Sequence, residues 1–323
     1  KKAGAQIIGG AKELYDRSDV ILKVQPPVKN EELGKHEAEL IREGAVYIGF
    51  ISPFTNAETI KTFVSRNITG FSMEMVPRIT RAQSMDALSA MATVTGYKAV
   101  LLAAGRISKM FPLLMTAAGT IPAANVLVLG AGVAGLQAIA TAKRLGARVE
   151  AFDPRPAVKE QVKSVGAAFV EMEMPKDTET AGGYAKELSA EFLKKEQEAI
   201  AGRLPKMDMV ISTAQVFGKK APVLITGDML KLMKPGSVIV DMAAGQGGNC
   251  EMTQADKMIE HGNVTIIGTT NIAALLPVDA SQLYSRTLLN LFRLLYPKPD
   301  SQPDFSDEII KGCCVTRQQM PGV

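Results

Sequence analysis

Residues 125–153 read NVLVLGAGVAGLQAIATAKRLGARVEAFD, and the fold turns on this stretch. Val126 to Leu129 form an apolar, β-branched and leucine run bounded by glycine, which predicts a buried parallel strand. Gly130-x-Gly132-x-x-Gly135 follows at once, and the alanine-rich segment from Val133 to Leu145 has helical composition and stops at Gly146. Arg148 to Phe152 predict a second strand with Asp153 at its carboxyl end. The spacing has a chemical sense. Gly130 permits a tight strand-to-helix turn, Gly132 lets a pyrophosphate approach bare backbone, and Gly135 lets helix and strand pack closely. Phosphate charge then meets the free N–H groups and positive dipole end of the helix. Asp153 lies 18 residues beyond Gly135, a spacing suited to accepting hydrogen bonds from the adenosine ribose. Glycine triplets also occur as plain turns in cores. Strand, triplet, helix, strand and acid in one unit point to dinucleotide binding.

The same acid bears on which dinucleotide. A carboxylate repels a 2′-phosphate, favouring NAD(H) over NADP(H), although Arg155, two positions on, is placed to neutralise such a phosphate. Past it, Pro156 to Val165 predict a helix and Ala167 to Glu171 a third strand. Met174 to Gly183 is polar, closed by glycines and long for a strand–helix loop, so it is either a disordered insertion or a lid. Tyr184 opens a charged helix to about Ile200. Met207–Thr213, Ser237–Asp241 and Val264–Ile267 predict strands four to six, with a helix at Gly227–Met233. Gly245 to Asn249 is a second glycine-rich loop, at a strand's carboxyl end, where doubly wound sheets bind ligands. The expected cofactor-binding residues are Gly130, Gly132, Val133, Ala134, Gly135, Asp153, Arg155, Tyr184, Ala214, Gly245 and Asn271.

Ahead of this unit, Ala11–Asp16 predict a helix and Val20–Val24 a strand ended by Pro26-Pro27. Glu31–Glu43, which contains His36, reads as a solvated charged helix, Ala45–Phe50 as a strand, Ala57–Ser65 as a helix and Ile68–Met73 as a strand. That alternation predicts a second parallel α/β domain. Thr80 is a plausible cap for a helix running to Ile107, with Gln83, Asp86 and Ser89 three apart on one face. Such a face is either solvated or, because the remaining helix is apolar and expected between the domains, lines a cleft. Thr116–Ala123 reads as a small-residue linker, Ala280–Leu295 as an amphipathic helix returning to the first domain, and Ile309–Val315 as a strand-like tail. The expected organisation is two Rossmann-like parallel-sheet domains, residues 116–285 inserted into 1–115 plus 286–323, with the cofactor between them.

Composition narrows the function. The 323 residues are 46% apolar and 22% charged, and 37 basic residues against 33 acidic leave a net charge of only +4. With no basic run among aromatics, no Trp and 5% aromatics, a nucleic-acid surface is not expected. Cys250, Cys313 and Cys314 with His36 and His261 give no metal-ligand spacing and no disulfide framework, consistent with a reducing compartment. No run of about 18 uninterrupted apolar residues occurs, so no bilayer crossing is expected, and a start on Lys1-Lys2 suggests a trimmed piece of a longer chain. No nucleophile–base–acid set is present and no proton-transfer histidine stands in the first domain, although hydride transfer to a carbonyl or imine generally needs an acid.

LGAGVAGLQAIATAKRLGA, PRITRAQSMDALS, TAGGYAKE, KAPVLIT, MKPGSVIVDMA and GGNC together resemble the NAD(H)-binding component of the proton-translocating NAD(P) transhydrogenase family, related to alanine dehydrogenase. The resemblance extends over nearly the whole chain from about Val20, with the family's first strand missing ahead of Lys1. It implies Re/Si-specific hydride transfer from NADH, bound here, to NADP+ on a partner domain, coupled to proton movement through membrane segments. It implies that Arg78, Gln83, Asp86 and Ser89 place the dihydronicotinamide and that Tyr184 sits on a mobile loop closing over nucleotide. A homodimer is implied, peripheral on the cytoplasmic face of a bacterial inner membrane or the matrix side of a mitochondrial-type one, touching membrane only through partner domains. Hydride passing between two nicotinamides needs no substrate proton, which accounts for the missing acid. The alternative is an alanine dehydrogenase-like oxidoreductase, whose lysine is matched by Lys23. Its histidine is absent from Gly49–Pro53 (GFISP), and its aspartate from Ala243–Gln246 (AAGQ). A non-catalytic NAD-sensing module is the third possibility.

Overall fold

The computed structural model describes residues 4–172, 189–216 and 218–317. Its contacts divide the chain into two compact units, Lys1–Ala90 with Ser281–Val323, and Met91–Ala280. In sequence the second therefore interrupts the first.

The first unit is built on a three-stranded parallel sheet in the order β1 (Val20–Lys23), β2 (Val46–Gly49), β3 (Thr69–Ser72). Ile21, Tyr47, Ile60, Phe63 and Ile68 make one buried cluster with Val315, and burying each large side chain is worth about 1.5–3 kcal/mol. Two expectations fail here. Glu31–Glu43 is not a helix. Lys29–Asn30 and Lys35–His36 pair as a small antiparallel hairpin, and only Glu37–Leu40 is helical. Its turn is fixed by Asn30, whose carboxamide oxygen accepts the Leu33 N–H, and His36 Nδ1 caps the short helix by accepting from Ala38 N–H. Residues 308–313 are helical rather than strand-like, started by Asp307, which accepts the Ile309 N–H at 2.8 Å; only Cys314 bridges Phe71 as a strand would.

The second unit holds a seven-stranded sheet: β4 (Asn125–Leu129), β5 (Arg148–Phe152), β6 (Ala168–Phe169), β7 (Met209–Ser212), β8 (Ser237–Asp241), β9 (Met258–His261) and β10 (Val264–Ile267). The spatial order is β6-β5-β4-β7-β8-β10-β9. All pairs are parallel except the edge pair β9–β10. The order reverses between β4 and β7, which puts the topological switch point at the carboxyl end of β4. One face of the sheet packs Val126, Val128, Ile211 and Val240 into one core, the other packs Leu127, Leu129, Val210 and Ile239 into another. Both faces being apolar is what makes these strands read as continuous apolar runs. Residues expected as a linker form a hairpin, Leu114–Thr116 with Gly119–Ile121, closed by a positive-φ Gly119.

The long helix α1 (Ala87–Ala104) is apolar and long enough to cross a membrane by length and composition alone, with mean hydropathy 1.4. Ala99, Val100 and Ala103 nevertheless lie in the sheet's core with Val126 and Ala138. Gly96 seats it: a Cβ there would lie 2.1 Å from the Ala134 carbonyl oxygen. The contact division falls at 90/91 and 280/281, whereas the sequence suggested 115/116 and 285/286.

Candidate nucleotide site

At the carboxyl end of β4 the chain turns through Gly130 (φ +93°) into the helix α2 (Val133–Arg144), with Gly132 at its N-cap. Each glycine is glycine for a different reason. A Cβ on Gly135 would sit 1.9 Å from the Gly130 carbonyl oxygen, so helix and turn close only without one. A Cβ on Gly130 would meet the backbone of Thr213 and Ala214 at 3.1–3.2 Å, besides the cost of its positive φ. Gly132 is different: a Cβ there meets nothing nearer than an Arg155 guanidinium nitrogen at 4.0 Å. Its bare side faces open space, beside the first-turn N–H groups that an α-helix leaves without an intrahelical partner. Val133 is exposed at that turn, whereas Ala134 is buried against α1. An open glycine face, unpaired helix N–H groups and a guanidinium form a cradle suited to a pyrophosphate.

Asp153, directly after β5, is buried, 2% exposed. Its Oδ2 accepts the Ala131 N–H at 2.7 Å and Arg155 Nη2–H at 2.8 Å, and its Oδ1 accepts the Arg155 N–H and Nε–H, each at 2.9 Å. Those four donors match the roughly four lone-pair positions of a carboxylate. A ribose hydroxyl therefore binds Asp153 by sharing or displacing Arg155. Arg155 is thus a partner of the acid, a contact invisible in spacing alone.

Ala214 N–H donates to the Asn249 carboxamide oxygen at 3.0 Å, and its carbonyl accepts from Asn249 Nδ2 at 2.8 Å. Gly245 is exposed in a short 3-10 turn, Ala244–Gln246, near Thr270, and Asn271 is exposed after β10. Ala214, Gly245 and Asn271 thus follow the carboxyl ends of β7, β8 and β10, on the side of the sheet where the Gly130 turn lies. Tyr184 and the 174–184 loop lie outside the described residues.

One group escaped the sequence reading. The helix α3 (Ala190–Ala201), N-capped by Ser189, buries Phe192, Glu196 and Ile200, four apart on one stripe. Burial, with the Asp153 charge adding to it, pushes the Glu196 carboxyl up to about 7. An acid occupying an apolar position of an amphipathic helix was the signal available in sequence.

In the other unit the expected single helix from Thr80 to Ile107 is broken. Thr80–Met85 is a 3-10 segment without a side-chain cap, Asp86 leaves helical geometry at ψ 88°, and α1 begins at Ala87. The cause is Asp86 itself, whose carboxylate accepts the Ser89 N–H at 2.8 Å and the Ser89 hydroxyl at 2.6 Å. Asx capping starts a new helix here. Gln83, Asp86 and Ser89 therefore do not share one helical face. Asp86 and Ser89 form a bonded, half-buried pair, while Arg78 and Gln83 are exposed on the segment before it. Arg81 pins that segment by a two-pronged bond to Asp307, at 2.7 and 3.0 Å.

Family models described as "Alanine dehydrogenase/PNT, N-terminal domain" and "Alanine dehydrogenase/PNT, C-terminal domain" match residues 1–95 and 99–320. The chain is similar to the first of the polypeptides that make up the NAD(P) transhydrogenase alpha subunit of Rhodospirillum rubrum, 48% identical over 98% of this chain and 83% of that protein. The solved transhydrogenase of Sinorhizobium meliloti superposes with a TM-score of 0.83 at 43% identity, covering 98% of this chain and 84% of that one. An L-alanine dehydrogenase structure shares the fold, with a TM-score of 0.74 at 21% identity over 97% of this chain and 80% of its own.

Proposed function

The chain belongs to the alanine dehydrogenase/PNT family, and on that premise we propose that it is the NAD(H)-binding part of a Re/Si-specific, proton-translocating NAD(P) transhydrogenase. Its partners are an NADP(H)-binding domain and a transmembrane domain. The chain acts as a homodimer, peripheral on the cytoplasmic face of a bacterial inner membrane or the matrix face of a mitochondrial-type one. The observation that carries the nucleotide function is the open face of Gly132 beside the Asp153–Arg155 pair. Against the dehydrogenase alternative, GFISP lacks a histidine and AAGQ an aspartate. Lys23, matching that enzyme's lysine, is held by the Glu37 carboxylate at 2.7 Å and the Pro26 carbonyl at 3.1 Å.

Bound NADH supplies the hydride. The α2 N-terminus and Arg155 take the pyrophosphate charge, and Asp153 takes the ribose hydroxyls and disfavours a 2′-phosphate. Arg78, Gln83, Asp86 and Ser89 orient the reacting ring, the Asp86–Ser89 bond fixing its own members. Tyr184, on its loop, excludes water. Catalysis is then positioning, since no substrate proton moves.

The test mixes this chain with the NADP(H)-binding partner. Transhydrogenation should require both, and alanine-dependent NAD+ reduction by this chain alone would overturn the assignment. Gln83→Ala should slow hydride transfer by about a hundredfold while changing the Kd for NADH less than about threefold, because the lost contact acts on ring placement. Equal losses in both would contradict its role.

A further inference from the structure

The second glycine-rich loop already holds an anion, and it belongs to this chain. Gly247 (φ +99°) and Gly248 (φ +83°) turn the Asn249 and Cys250 N–H groups onto Asp241 Oδ2, at 2.7 and 2.9 Å. The Thr253 hydroxyl donates to the same oxygen at 2.6 Å, and Ala243 N–H donates to Oδ1 at 3.0 Å. Asp241 is fully buried, and a Cβ on Gly248 would lie 2.8 Å from its Oδ2. A backbone nest of this kind is an anion site, and here the protein's own carboxylate fills it.

What the nest orients is Asn249, also fully buried. Its carboxamide oxygen accepts the Ala214 N–H at 3.0 Å, and its Nδ2 donates to the carbonyls of Ala214 and Pro222, each at 2.8 Å. One side chain thus fixes both backbone groups of Ala214. Thr213 and Ala214 are the backbone against which Gly130 rests at 3.1–3.2 Å, and Thr213 Cγ2 lies 3.3 Å from where a Cβ on Gly135 would stand. We propose that Asn249, oriented by Asp241, is a positioning residue for the dinucleotide: it sets the floor on which the Gly130–Gly135 turn closes, without touching the ligand. The role rests on the nucleotide-binding function proposed above.

The experiment titrates the full chain with NADH and, separately, with ADP, well below each variant's melting temperature. Asn249→Ala should weaken both by about tenfold, since three buried hydrogen bonds are lost and the floor relaxes. A lowered Tm with both Kd values within about twofold of the parent would overturn the proposal, leaving Asn249 a fold residue only. Asn249→Asp is the second variant. It keeps the acceptor toward Ala214 N–H but turns a carboxylate on two carbonyls, so its affinity relative to the parent should recover as pH falls and the new acid gains a proton. A ratio flat from pH 8 to 5 would also overturn the proposal. Asp241, the Cys250 thiol, Asp153 and Glu196 are common to both proteins, and taking the ratio removes their titration. If the parent chain itself bound neither NADH nor ADP, the nucleotide function would fall, an outcome distinct from a variant that binds as the parent does.

Discussion

The two glycine turns of the second unit have similar composition and both follow the carboxyl ends of central strands, yet they have opposite fates. After β4, the bare side of Gly132 faces open space. After β8, the nest made by Gly247 and Gly248 is closed on Asp241. A glycine-rich loop is therefore a ligand site only when the chain leaves its N–H groups without an anion of its own. The acids differ in the same sense. Asp241 has four donors from its own neighbourhood, of which three are backbone N–H groups. Asp153 shares its oxygens with a movable guanidinium and has a second buried acid, Glu196, close enough to raise that group's pKa.

Substitutions at matching glycines should separate the two turns. Gly135→Ala carries the largest effect, because the new carbon meets a backbone oxygen at 1.9 Å and neither helix nor turn can yield. NADH binding should fall below detection in fluorescence titration, with a Tm loss. Gly248→Ala should instead read chiefly as stability, at roughly 2–4 kcal/mol in urea unfolding, from its positive φ and the contact with Asp241. If Gly248→Ala abolished binding at unchanged stability, the two turns would not differ as described. Glu196→Gln acts through charge. The folded protein holds that proton more tightly than the unfolded chain, so the parent's stability is greatest below about pH 4.5 and declines as pH rises through about 7. The variant should lack this decline and be more stable at pH 8 by roughly 2–3 kcal/mol, the gap closing toward pH 4. Parallel stability curves would contradict the burial of that carboxyl. Gly132→Ala is the sharpest contrast: at φ −72° and ψ −169° with open space around it, alanine should cost less than about 1 kcal/mol of stability. Its methyl group occupies the approach of the pyrophosphate, so NADH affinity should drop by about thirtyfold, some 2 kcal/mol.

What the sequence discloses is what local chemistry determines. Val126–Leu129, the glycine triplet and Asp153 are legible because strand, turn and helix there obey nearest-neighbour rules and both sheet faces are buried. The family's reach over the chain was legible from its motifs. Segments in which polar side chains compete with the backbone were not. Asp86 restarts a helix that composition would continue, and Asn30 and His36 turn a charged stretch into a hairpin and cap. The hairpin at Leu114–Ile121 and the antiparallel edge strand Met258–His261 contain small or exposed residues with little periodicity. Long-range links were hidden altogether: Asn249 reaches Ala214 across 35 positions, and Arg81 reaches Asp307 across 226. The fork of Arg155 on Asp153 was hidden for another reason, since two charges so close in sequence give no hint of which ligand or neighbour each will choose.

The central claim is that the open turn after β4 binds NAD(H) and that Asp153 rejects a 2′-phosphate. Calorimetric titration of the chain with NADH and with NADPH, at one salt concentration, tests it most directly. NADH should saturate one site per chain with a Kd at least about tenfold below that for NADPH, the factor expected from a like charge placed beside the carboxylate. Equal affinities for the two, or no saturable heat with NADH, would contradict it.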